Sequence, residues 1–255
     1  LALNTQEQAL DNRNGMISAG GNANIQSGAF NNQSGTLGTN QKLLLNTHLQ
    51  AINNQNTAGS GGIFTESLSI KSGDLDNRVG TIGAATAELQ IRDLSNQQGK
   101  ISVSGQLQLS GQNVQNQSGV IQSSEKLKVD AKTLDNQAGQ ILAKEAGFSV
   151  SALSNTDTLA NPQGGIQAEK LSLQTDTLNN SRGRIVSNQD LPLNVRQQLN
   201  NEQGLIAGGG KLNIASDKNS ELVISNKAGQ IQAQGDMQLN AYRLINSGEI
   251  LSNSS

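Results

Sequence analysis

The chain has 255 residues, enough for one large domain or two ordinary ones, with a formal net charge of −2, 15% charged residues, no Cys and no Trp. Aromatic residues make up only 2%, which argues against a conventional globular core, and the near-neutral charge argues against electrostatic capture of nucleic acid or of an anionic membrane. No apolar run approaches the roughly 20 residues of a bilayer span, and the regular spacing of Leu, Ile and Val argues against disorder.

Along the chain one phrase keeps returning. Written Φ-x-N-x-x-G-x-Φ, with Φ aliphatic or Phe, it begins at Leu10 and Phe30, and again from Ile52, where four extra residues precede Ile63. It continues from Leu75, Leu94, Val114, Leu134, Leu159, Leu178, Leu199 and Ile224, and closes one residue short in "LINSGEI" from Leu244. Successive starts lie 19 to 25 residues apart. Between copies runs a second apolar pair with alternating spacing, such as Leu43/Leu45, Leu89/Ile91, Leu127/Val129, Leu171/Leu173 and Leu212/Ile214. Alternation over short stretches bounded by Gly and Asn predicts strands. A unit of about 20 residues holds three short strands and no helix pair. The fold it predicts is all-β: a parallel β-helix of about twelve coils, stacked at ~4.8 Å, with aliphatic columns as its core.

In-register stacking makes the recurring Asn a ladder of amides, each bonded to its counterparts above and below. Its expected members are Asn12, Asn32, Asn54, Asn77, Asn96, Asn116, Asn136, Asn161, Asn180, Asn201, Asn226 and Asn246. Asn and the Gly three residues on both tolerate the left-handed conformation of a sharp corner, so the phrase reads as architecture. Breaking the ladder by Asn116→Leu is expected to cost about 1–3 kcal/mol.

Departures from the repeat come next. The segments 46–51, 151–158 and 215–223 are longer than their equivalents and are expected at one corner, hence on one edge of the coil stack. Loops on a rigid scaffold are where binding concentrates, although corners also tolerate insertions. The candidate receptor-contact residues are Asn155, Thr156, Asp157, Asp217, Lys218, Asn219 and Glu221. The Gly-rich stretch 54–64 falls at a different corner, and Pro192 should weaken strand pairing where it sits.

No chemistry-bearing constellation is apparent. Asp11, Asp76 and Asp135 precede a ladder Asn and read as separated edge charges, not the facing carboxylates of a glycosidase. His48 is the sole histidine and has no Cys, Ser or carboxylate motif beside it. Zinc spacings, calcium repeats and phosphate loops are missing, so no metal site, no cofactor and no catalytic residue are expected. Tyr242 is the one aromatic expected to be exposed.

Units such as "LDNQAGQILAKEAGFSVSA" and "LSNQQGKISVSGQLQLSGQ" resemble the haemagglutinin repeats of filamentous-haemagglutinin-like exoproteins, from about Leu10 to Ile250. The resemblance implies a right-handed β-helix, export through an outer-membrane two-partner secretion transporter, and a place outside a Gram-negative cell, secreted or at its surface. It implies a virulence-associated adhesin or a contact-dependent growth inhibition toxin, and does not separate the two. The expected function is a non-catalytic shaft that presents adhesive or toxin domains and contacts a target-cell receptor through corner loops. The alternative is a polysaccharide-degrading β-helix enzyme. Residues 1–255 read as one segment of a longer shaft, cut at both ends, monomeric and without a membrane span.

Overall fold

The computed structural model describes residues 1–59, 61–217 and 221–253. Among these there is no helix; the chain winds about twelve parallel turns of strand, about twenty residues apart. Two compact units divide it, Leu1–Leu127 and Lys128–Ser255.

Each turn of the first unit has three faces. The first holds the two residues before a ladder Asn, as in Phe30–Asn31, Ile52–Asn53 and Leu75–Asp76. The second follows the Gly, as in Thr36–Thr39 and Lys100–Val103. The third carries the alternating pair, as in Ala23–Gln26 and Lys42–Asn46. Equivalent residues pair in parallel register, so Phe30 stacks on Ile52, Ile52 on Leu75, and Leu43 on Leu68. Because side chains alternate between in and out, every second residue joins a core column. Ile63, Ile82, Ile101 and Ile121 form the second-face column at 0% exposure. Its β-branched side chains suit the pleat. At about 1.5–3 kcal/mol per buried aliphatic side chain, repetition supplies the core that aromatic residues usually provide.

The second unit repeats this plan. Leu153, Leu178, Leu199 and Ile224 stack on its first face, and Ile141, Ile166, Ile185, Ile206 and Ile231 on its second. On the third face Pro192 points outward, and the strand Leu191–Asn200 pairs with Gly165–Asn179 only from Leu193 onward. Proline has no N–H to give the ladder, and the pairing starts just beyond it.

The corner differs from expectation in which residue turns left-handed. Positive φ falls on neither the ladder Asn nor the Gly but on the second residue after the Asn: Asn14, Ser34, Asn56, Val79, Gln98 and Ser118 in the first unit, Ala138, Asp157, Arg182, Gln203 and Ala228 in the second, all between +50° and +59°. Val79, at +52° and 40% exposed, is the costly case. A left-handed conformation costs a β-branched residue about 1–2 kcal/mol, whereas Asn adopts it readily. Val79→Asn should therefore stabilise the fold by about 1 kcal/mol, read as a raised melting temperature.

Candidate functional site

The Asn column lies along the corner between the first and second faces. In the first unit Asn12 Nδ2 donates to Asn32 Oδ1 at 2.7 Å, Asn32 to Asn54 at 2.8 Å, and Asn54 to Asn77, Asn77 to Asn96 and Asn96 to Asn116 at 2.7 Å each. The same amides also donate to backbone carbonyls of their own corner and the next, as Asn77 does to Gly80 and Lys100. In the second unit the order is Asn136, Asn155, Asn180, Asn201, Asn226 and Asn246, with steps of 2.7–2.8 Å. Asn155 occupies the rung that sequence spacing assigns to Asn161. Asn155 is fully buried, so it is not a surface contact residue, and Asn161 is exposed outside the column.

The cause is a displaced insertion. The strand Gln140–Ser154 stays in register with Gly165–Asn179 through Leu153 and Ser154, so the extra residues leave the stack only after Asn155. They emerge at the corner used by the stretch 54–64, not at the corner of 46–51 and 215–223. Both expanded corners share the frame Asn-x-x-Thr…Gly-Gly-Ile, "NQNTAGSGGI" and "NTDTLANPQGGI". That frame was the available signal; a chance Φ-x-N-x-x-G match from Leu159 obscured it. In an ordinary turn the residue after Gly donates to the Gly carbonyl of the preceding turn, as Lys100 does to Gly80 at 2.8 Å. Here the Thr57 hydroxyl accepts from Thr81 N and the Thr158 hydroxyl from Arg184 N, both at 2.9 Å. Gly62 and Gly165 then return the chain at φ +129° and +90°. A Cβ would lie 2.4 Å from Thr81 O in the first case and 2.2 Å from Arg184 O in the second, so only Gly fits both the angle and the space.

The loop 159–163 so extruded is braced from below. Arg184 donates its guanidinium to the carbonyls of Leu159 (3.3 Å), Asn161 (3.3 Å) and Pro162, and Gln167 donates to Pro162 and Gly164. Beside it Thr156 is half-buried, and Asp157 accepts from Gln137 (3.0 Å) and Arg182 (2.7 Å), which hold its carboxyl below the usual range. At the other corner Asp217 accepts from Arg196 at 3.2 Å, and Glu221 is exposed. Lys218 and Asn219 lie outside the described residues.

The remaining candidates are dispersed. Asp11 pairs with Arg13 at 2.7 Å, and Asp76 with Arg78 at 2.6 Å. Burial pushes the Asp76 carboxyl up, but hydrogen bonds from Arg78 and the Gln55 amide outweigh it and hold the group below its ordinary value. His48 caps a tight turn at φ +51°, its Nδ1 3.1 Å from Ser27 O. Tyr242 is 74% exposed, and Phe64 joins it at 41%. Phe64 was legible from alternation, since it directly follows buried Ile63; its ring covers Gly83. Among the described residues no three His, Cys, Asp or Glu side chains converge as a metal would require. An open groove of about 650 Å3 lies on the second unit, walled by Glu145, Lys170, Asp190, Pro192 and Gly210.

Stacked turns, an Asn column and the recurring Gly corner coincide with one family model, the haemagglutinin repeat, which matches residues 1–79, 82–161, 154–220 and 206–255. The chain belongs to the haemagglutinin-repeat family. No curated protein and no solved structure is matched by it. Haemagglutinin repeats build the β-helical shafts of filamentous-haemagglutinin-like surface exoproteins, generally structural and adhesive, in a two-partner secretion context. None of the helices, there being none among the described residues, is long and apolar enough to cross a membrane.

Proposed function

We propose that this chain is a non-catalytic segment of such a shaft, exported through an outer-membrane two-partner secretion transporter and carried at the cell surface. There it holds adhesive or growth-inhibiting domains away from the cell. Contact with a target-cell receptor falls to the corner loops, foremost 159–163, with Asp157, Asp217 and Glu221 at their bases.

The observation that supports this reading is the braced loop. A sequence with no role beyond spacing gains nothing from an extruded segment whose carbonyls are held by Arg184 while the Asn column runs on beneath it. Pre-ordering a contact loop lowers the entropy lost on binding. The test is binding of fluorescently labelled protein to bacterial and epithelial cells, beside a variant in which 159–163 is cut to the ordinary corner length. Saturable binding that the shortened variant loses is the expected result. Equal binding by both would remove the loop from the receptor site, and no binding by the intact chain would leave it a spacer.

A further inference from the structure

The third face of Lys128–Ser255 carries a charge pattern that the repeat does not demand. The residue just ahead of the first inward third-face position is Glu145, Lys170, Asp190, Lys211 and Asp236 in five successive turns, and all five are exposed. The sign alternates at every step. Glu145 stands beside Lys170 in the parallel register, and Lys170 and Asp190 line the same groove. Lys211 donates its backbone N–H to Asp190 at 2.8 Å and holds Asp236 with its ammonium at 3.6 Å. In Leu1–Leu127 the equivalent positions are Asn22, Lys42, Ser67, Thr86, Gln106 and Lys126, of which the first five show no alternation of sign. Those turns stack without alternating charge, so the repeat does not require it.

The ground beside the column is low. Gly147, Ser172, Pro192 and Asn213 are the next outward residues of the same face, and the groove opens where Pro192 interrupts strand pairing. Another body can approach the charges closely here. Lys211 and Asp236 have side chains 70% and 72% exposed, so their mutual pair leaves most of each available.

An alternating column is complementary to a copy of itself. Turned end over end by a two-fold axis and shifted by one turn, it sets Lys170 of one copy against Asp190 of the other, and Glu145 against Lys211, each pair occurring twice. The steps match because both columns rise by the same ~4.8 Å. An unshifted approach in either direction sets like charges face to face, which selects a one-turn offset over none. The two-fold arrangement is isologous and closes at the dimer, whereas a parallel shifted one leaves its ends open. We propose that this face is a homotypic contact surface, its partner a second copy of this chain, joined by the Glu145–Lys170–Asp190–Lys211 column.

Exposed pairs are individually weak and strongly screened, so the contact should be visible at low salt. Sedimentation velocity of the full chain should show a dimer at about 0.02 M NaCl and a monomer at about 0.5 M, where the screening length falls to roughly 4 Å. K170E/K211E alone and E145K/D190K alone should each stay monomeric at low salt, and an equimolar mixture should restore a dimer. Thermal unfolding of each variant separates loss of contact from loss of fold. A monomeric wild type at low salt, association indifferent to salt, no recovery in the mixture of folded variants, or growth beyond the dimer would each overturn the proposal.

Discussion

Asn155→Leu should lower the free energy of unfolding by about 3 kcal/mol, and Asn161→Leu should change it by no more than about 0.5 kcal/mol. The side chain of Asn155 accepts from Asn136 and donates to Asn180 at 2.8 Å each, and donates also to Arg184 O at 2.9 Å. Leucine fills a similar volume but deprives buried Asn180 Oδ1 of this donor and Asn136 of this acceptor. Each such loss costs about 1–3 kcal/mol, offset in part by the apolar burial of Leu. Asn161 gives up only an exposed side-chain bond to Gln163 N. Chemical denaturation of the two variants side by side measures the difference, and equal destabilisation would return Asn161 to the column.

Gly204→Ala tests the corner from the other side. Its Cβ would lie 2.2 Å from Asn180 O, 2.6 Å from Asn201 Oδ1 and 3.0 Å from Asn180 Nδ2. All three belong to the column or its backbone, so nothing nearby can yield. The expected loss is about 3 kcal/mol, the upper part of the range for overpacking. Gly147→Ala, whose Cβ meets nothing nearer than Ser172 Oγ at 3.6 Å, should stay within about 0.5 kcal/mol. Since left-handed backbone falls on Gln203 and not on Gly204, the glycine is there for room. A small effect at Gly204 would mean that the column can relax around a methyl group. Urea midpoints at constant m value decide the comparison.

The fold was legible because its period is carried by many residues at once. Leu75, Asn77, Gly80 and Ile82 recur together, and a parallel stack is the arrangement that buries all of them. Local corner chemistry was less legible. Spacing alone could not separate Asn155 from Asn161, because both follow Leu-x and only the hydroxyl of Thr158 distinguishes the rung in use. Left-handed φ at Val79 or Ala138 was hidden, since the turn is imposed by the stack against residue preference. Nor could the Glu145 to Asp236 column be seen before the register placed those residues one above another, 20 to 25 positions apart in the chain.

The hydroxyls of Thr57 and Thr158 give the repeat a capacity for diversification. Because a side chain takes the place of the missing carbonyl, and a Gly-Gly pair brings the strand back, the core columns and the Asn column continue past the insertion without interruption. Three inserted residues are carried in one case and five in the other within the same frame. Foreign peptides spliced between Thr158 and Gly164 would inherit a finished socket, and the surface of the protein could vary there without any compensating change in its interior.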